Sequence, residues 1–127
     1  MKATIQRISP QAEFHTDEGC HIVELSNTAD APDASIARAR VEPGVTTRWH
    51  RLLATAERYV MLEGRGRMEV GDLTPQDVGP GDVVVIPPMC RQRITNTGEK
   101  DLIFLAVCTP RFQPENYEDI DPAARSC

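Results

Sequence analysis

Residues 43–64 read PGVTTRWHRLLATAERYVMLEG, and residues 81–96 read GDVVVIPPMCRQRITN. In the first stretch, His50 and Glu57 lie on two short apolar segments on either side of Ala54. We predict that these segments are strands, residues 46–53 and 57–62, joined in a hairpin. Because side chains alternate along a strand, an inward-facing His50 and Glu57 bring inward four neighbours of the same parity: Arg48, Leu52, Tyr59 and Met61.

The second stretch contains a continuous apolar run, Val83–Ile86, which is stopped by two prolines. The residues that follow, 90–96, predict another strand, because polar and apolar side chains alternate there. If Gln92 faces inward, its parity brings Cys90 and Ile94 to the same face. Gln92 therefore joins His50 and Glu57 as a candidate interior polar residue.

The rest of the chain continues this pattern of short strands. No segment of twelve residues shows helical spacing of apolar side chains without an intervening glycine or proline. Further strands are predicted at residues 21–25, 35–42, 67–70 and 102–108. Ten prolines and eight glycines punctuate the sequence and imply many turns. The sequence thus predicts an all-β sandwich or barrel.

The two quoted stretches resemble the two motifs of the cupin family. The first motif is Gly, five residues, His-x-His, three or four residues, Glu, six residues and Gly. The second is Gly, five residues, Pro-x-Gly, two residues, His, three residues and Asn. The matching positions here are Gly44, His50, Glu57, Gly64, Gly81, Pro87 and Asn96. The resemblance covers about residues 20–110. It implies a cupin double-stranded β-helix, which is a jelly-roll barrel. The chain would then be one domain over residues 1–127, with a C-terminal arm at 111–127.

The departures from the motifs weaken the metal site that the resemblance implies. Leu52 stands in place of the second histidine of the first motif, and Gln92 in place of the histidine of the second. The inherited ligand set is therefore His50, Glu57 and Gln92. An imidazole, a carboxylate and an amide oxygen can bind a divalent ion such as iron, manganese, zinc or nickel. The alternative is a metal-free interior in which His50 and Glu57 are hydrogen-bonded to each other and to water.

The reaction stays open at this point. The resemblance allows a metal-dependent isomerase, lyase or dioxygenase, the last being weakened by the missing histidines, or a non-catalytic binding module for a sugar or organic anion. Five residues are expected to line the pocket around the ligand set: Arg48, Leu52, Tyr59, Met61 and Cys90. Arg48 could hold a carboxylate or phosphate, or could extend to solvent.

Composition restricts the partners. The net charge of −5 argues against general nucleic-acid binding, and no apolar run is long enough to span a bilayer. The four cysteines match no zinc or redox motif, and the first residues lack the apolar core of a secretory signal. We therefore expect a cytoplasmic protein with reduced thiols.

Two strands, Val83–Ile86 and residues 103–107, are apolar on both faces. A small barrel has only one inner face, so their outer faces need a cover. A homodimer would supply it, and so would one of the terminal arms.

Overall fold

The computed structural model describes residues 1–122, which form two antiparallel β-sheets packed face to face. The six-stranded sheet consists, in spatial order, of β1 (Phe14–His15), β2 (His21–Ser26), β3 (Ser35–Val41), β10 (Leu102–Thr109), β5 (Ala56–Glu63) and β8 (Val83–Ile86). The five-stranded sheet consists of β11 (Tyr117–Asp119), β4 (His50–Leu52), β9 (Gln92–Asn96), β6 (Gly66–Val70) and β7 (Gln76–Val78). Two single 3₁₀ turns, Pro10–Ala12 and Pro114–Asn116, are the helical segments of this part of the chain. Neither is long and apolar enough to cross a membrane.

The all-β jelly roll predicted from the sequence is confirmed. Each predicted strand has a counterpart in the structure, although β4 begins four residues later than predicted, at His50. The strands that the sequence did not indicate are β1, β7 and β11, which are two or three residues long. Such short strands depend on a neighbouring strand and carry almost no pattern of their own.

The predicted hairpin around Ala54 is wrong. β4 belongs to the five-stranded sheet, whereas β5 pairs with β10 and β8 in the six-stranded sheet. Ala54 has a φ of 53°, in the left-handed region, and the Thr55 hydroxyl donates to the Leu53 carbonyl over 2.9 Å. This tight turn carries the chain from one sheet to the other. His50 and Glu57 consequently stand on opposite sheets rather than on paired strands.

The core lies between the sheets and follows the alternation of the strands. In β9 the side chains of Gln92, Ile94 and Asn96 are buried, and the intervening residues are half-buried. Apolar packing is provided mainly by aliphatic and sulfur-containing side chains, with Tyr59 and Phe104 as the aromatic members. Along β8, however, Val83 and Val85 remain 54% and 59% exposed. The cover expected for that outer face is therefore not supplied by residues 1–122.

Two motif residues have structural roles at one end of the sheets. Gly64 turns β5 into β6 with a φ of +85°, and a Cβ there would lie 2.7 Å from the Asp101 carbonyl oxygen. Only glycine fits both demands. The Asn96 amide donates to the carbonyls of Val41 and Lys100 and accepts from the Gly98 backbone amide, all within 2.9 Å. These bonds fix the turn between β9 and β10.

Candidate functional site

A cavity of about 70 Å³ opens between the two sheets. Strands β2, β3, β5 and β10 form one wall, and His50 of β4 and the loop residues Glu18, Cys20 and Thr47 form the other. A volume of this size holds about five water molecules. The cavity therefore admits several non-hydrogen atoms of a ligand, and the rest of a larger molecule would lie in its opening.

His50 is fixed in one tautomer by the backbone. Its Nδ1 lies 2.8 Å from the carbonyl oxygen of Arg48, and the side chain is 3% exposed. Because a carbonyl only accepts, Nδ1 carries the proton and donates it to that oxygen. In the neutral ring, Nε2 then keeps its lone pair. It lies 3.4 Å from a carboxylate oxygen of Glu18.

Glu57 is held by hydrogen bonds from two strands. Gln92 Nε2 donates to Oε1 over 2.8 Å, and the Cys108 thiol donates to Oε2 over 3.7 Å. Burial raises the pKa of Glu57 to about 7, although the bond from Gln92 and the nearby His50 act in the opposite direction. A carboxyl with a pKa near neutrality can give up and take back a proton under physiological conditions.

The polar lining of the cavity is acidic. Glu18 and Glu24 join Glu57 there, and burial raises the pKa of Glu24 as well. Among the residues described as lining the cavity, none is Lys or Arg. An anionic ligand would meet unfavourable charge in this space, whereas a neutral or cationic one would not.

Aromatic rings and thiols complete the walls. The rings of Tyr59 and Phe104 pack with their centroids 4.3 Å apart, and burial raises the pKa of the Tyr59 hydroxyl well above its usual value. Burial also raises the pKa of the thiols of Cys20 and Cys108, which keeps both protonated. These groups can donate hydrogen bonds to a ligand but do not carry charge at neutral pH.

Of the five residues expected to line the pocket, Tyr59 does so. Leu52 and Met61 are buried but are not among the lining residues, and Cys90 lies in the turn before β9, where its sulfur approaches Gly71. The guanidinium of Arg48 binds Asp119 over 2.8 Å and does not reach the cavity. Arg48 instead contributes its backbone carbonyl, which orients His50.

The predicted ligand set comes together in part. Gln92 lies opposite His50 in the β4–β9 register and bonds to Glu57. Within residues 1–122, no group of three or more His, Cys, Asp and Glu side chains is placed to hold a metal ion. The oxygen of Gln92, Oε1, is buried and has no hydrogen-bond partner. A buried, unsatisfied amide oxygen on a side chain that bonds to Glu57 and lies opposite His50 in register is compatible with a weak mixed-donor site.

The sequence did not indicate several of the residues that line the cavity. Glu18 and Cys20 precede β2 in an irregular segment, and Glu24 and Cys108 lie on strands that carry neither motif. Their contribution depends on how β2 and β10 are placed beside β3, which spacing along the chain does not reveal. Phe112, which follows β10, also lines the cavity.

The fold and site together define a double-stranded β-helix with a polar cavity between its sheets. Residues 37–108 match the family model described as the cupin domain. The chain therefore belongs to the cupin family. It is 32% identical to an uncharacterized protein of Methanocaldococcus jannaschii, over 95% of both chains.

Two further similarities concern named enzymes. The chain is 40% identical to glucose-6-phosphate isomerase of Pyrococcus furiosus over 63 residues, which span 46% of this chain and 33% of that enzyme. The structure resembles that of the nucleoside dehydratase Pac13, with a TM-score of 0.74, 15% identity, and coverage of 93% of this chain and 92% of that one. Variants of Pac13 from Streptomyces have been solved with uridine. At this identity the second similarity concerns the fold alone.

Proposed function

We propose that the cavity binds a small polar molecule without negative charge, and that His50 and Glu57 exchange protons with it. The observation that carries this proposal is the bond from His50 Nδ1–H to the Arg48 carbonyl, which leaves Nε2, 3.4 Å from a Glu18 carboxylate oxygen, as the ring nitrogen that can gain or release a proton. Near this nitrogen, the Glu57 carboxyl has a pKa of about 7 and can give up or take back a proton at neutral pH.

Electrostatics decides the class of ligand. A phosphate or carboxylate in the cavity would approach Glu18, Glu24 and Glu57 without a lining Lys or Arg to offset them. For this reason we do not propose glucose 6-phosphate, the sugar in the isomerase's name, as a ligand of this chain. The match to that enzyme covers a third of the enzyme's length. The organic anion considered from the sequence is disfavoured for the same reason, whereas a neutral sugar fits.

A divalent metal ion held by His50, Glu57 and Gln92 is the second candidate. The buried, unpartnered Oε1 of Gln92 favours it, as does the Nδ1–H···O bond of His50, which is the usual outer-sphere bond of a metal-binding histidine. When bound, such an ion would act as a Lewis acid. The first candidate is favoured because Oε1 of Glu57, a predicted ligand atom, already accepts a hydrogen bond from Gln92.

The ligand class can be tested with matched neutral and anionic probes. Uridine against uridine monophosphate and glucose against glucose 6-phosphate, extended by small polyols and amines, should be screened by protein NMR. We expect the binders to be neutral or cationic, to shift resonances of cavity residues, and to lose affinity in His50→Gln and Glu57→Gln. A phosphorylated probe that binds in the cavity more tightly than its neutral counterpart would refute the proposal.

The metal candidate has its own test. Protein prepared without a chelator or a histidine tag should be assayed for iron, manganese, zinc and nickel and then titrated with each. Stoichiometric uptake that is lost in His50→Ala or Glu57→Ala supports the site, and Gln92→His should then raise the affinity. Protein that takes up none of the four ions excludes this candidate.

We also propose that the chain forms a homodimer through the edge strand β8, because Val83 and Val85 are more than half exposed there. Two apolar side chains on an unpaired edge favour strand pairing with a second copy. Light scattering should give twice the chain mass of 14.1 kDa. A monomer mass would refute the dimer, and Val85→Lys should convert a dimer to a monomer.

A further inference from the structure

The C-terminal strand β11 belongs to the sheet that carries His50. It pairs antiparallel with β4, with Asp119 opposite His50 and Tyr117 opposite Leu52. Backbone bonds from Leu53 to Asn116 and from Ile120 to Trp49, of 2.8 and 3.0 Å, extend the pairing at both ends. The arm is thus an integral edge strand beside the site.

Tyr117 contacts the site through His50. Their rings are stacked, with centroids 5.2 Å apart and planes inclined by 21°. Tyr117 is diagonal to His50 in the strand register, a position from which an aromatic side chain reaches its neighbour. It is not among the residues lining the cavity, so it acts on a ligand only by way of the imidazole.

Arg48 connects the two parts of this arrangement. Its carbonyl oxygen accepts the Nδ1 proton of His50, and its guanidinium binds Asp119 of β11 over 2.8 Å. A second bond, from the backbone amide of Trp49 to a carboxylate oxygen of Asp121, ties the arm to the residues just before β4. Together with the Leu53–Asn116 backbone bond, these contacts fix the chain to the arm both before and after His50.

We propose that Tyr117 is a positioning residue that holds the imidazole of His50 in the orientation required for the Nδ1–H tautomer. The inference rests on the proposed function, because it makes the arm responsible for orienting His50, the proposed base. A ring held by one hydrogen bond can rotate about its Cβ–Cγ bond, and the flat contact with Tyr117 removes that freedom. With the ring fixed, Nε2 stays available to the cavity.

Nitrogen NMR of the imidazole tests the proposal without any ligand. At a pH where the ring is neutral, the wild type and Tyr117→Phe should both show the Nδ1–H pattern. Tyr117→Leu keeps apolar bulk but removes the ring, and its two nitrogen shifts should move toward an average of both tautomers. Glu118→Gln, on the same strand and paired with Arg51 at the surface, is the matched control and should behave as the wild type.

Chemical modification supplies a second readout. Diethyl pyrocarbonate reacts with unprotonated imidazole nitrogen, and mass spectrometry separates His50 from His15 and His21. We expect His50 in Tyr117→Leu to react about fivefold faster than in the wild type, the factor that corresponds to one aromatic pair. The rates of His15 and His21 should not change, which separates local release of the ring from general unfolding.

If Tyr117→Leu keeps both the Nδ1–H pattern and the slow modification of His50, the arm does not position the ring. If that variant fails to fold, the wild type still decides, because an Nε2–H pattern in native protein contradicts the proposal directly. Loss of probe binding in His50→Gln tests the proposed function, whereas the NMR and modification experiments test the role of Tyr117. A failure of one can therefore be distinguished from a failure of the other.

Discussion

Replacing Glu57 by glutamine should stabilise the metal-free protein at alkaline pH. Glu57 is 8% exposed, and its pKa rises from the usual 4.5 to about 7 chiefly because of burial. Between these two pH values the folded protein retains a proton that the unfolded chain has released, so stability falls as pH rises and the loss is complete above pH 7. At 1.36 kcal/mol per pH unit, the shift amounts to about 3 kcal/mol.

Glutamine keeps the shape of the side chain and can still accept the hydrogen bond from Gln92, but it carries no charge. The Glu57→Gln variant should therefore match the wild type near pH 4 and exceed its free energy of unfolding by about 3 kcal/mol at pH 8. Urea unfolding in the presence of a chelator, repeated between pH 4 and 8, gives this difference directly.

Glu63→Gln removes an exposed carboxylate from the same strand and serves as the control. A difference between Glu57→Gln and the wild type that stays constant across the pH range would refute the reasoning. So would a variant that is less stable than the wild type at pH 8, because the charge of Glu57 would then stabilise the fold.

Three other predictions rest on different parts of the molecule. Asn96→Ala should lower the free energy of unfolding by about 2–4 kcal/mol, since it leaves one buried and one part-buried carbonyl without their donor. Urea unfolding measures this loss, and a loss below about 1 kcal/mol would contradict the role of this amide. Gly64→Ala should lower the melting temperature, because its Cβ would meet the Asp101 carbonyl at 2.7 Å with φ at +85°; an unchanged melting temperature by calorimetry would mean that the turn can relax. Native protein treated with iodoacetamide at pH 8 should be labelled at Cys90 much faster than at the buried Cys20 and Cys108, and equal labelling by mass spectrometry would show that the cavity wall opens readily.

The motif residues allowed the fold to be predicted because each has a structural role that one residue type fills. Gly64 adopts a positive φ that favours glycine, and Asn96 bonds to groups at the ends of neighbouring strands. Each position therefore requires one residue type. Strand alternation likewise placed Gln92 and Ile94 on the buried face of β9. Such signals are fixed residue types at fixed spacings along the chain, and they are visible in a single sequence.

The remainder of the site depends on contacts between distant segments. Glu18 lies 3.4 Å from His50, and Tyr117 stacks on the same ring, yet these residues lie on opposite sides of it in the chain at distances of 32 and 67 positions. No periodicity encodes such an approach. The incorrect hairpin had a related cause, because a three-residue turn that changes sheets can have the same composition as one that closes a hairpin.

The bond between Gln92 and Glu57 has a mechanical consequence. The amide belongs to one sheet and the carboxylate to the other, and their 2.8 Å hydrogen bond connects the two sheets directly. A ligand that binds to Oε1 of Glu57 must break this hydrogen bond. Ligand binding therefore weakens the connection between the two sheets. The barrel is expected to be most rigid when empty and to loosen along β9 as a guest enters, which reverses the usual relation between binding and rigidity.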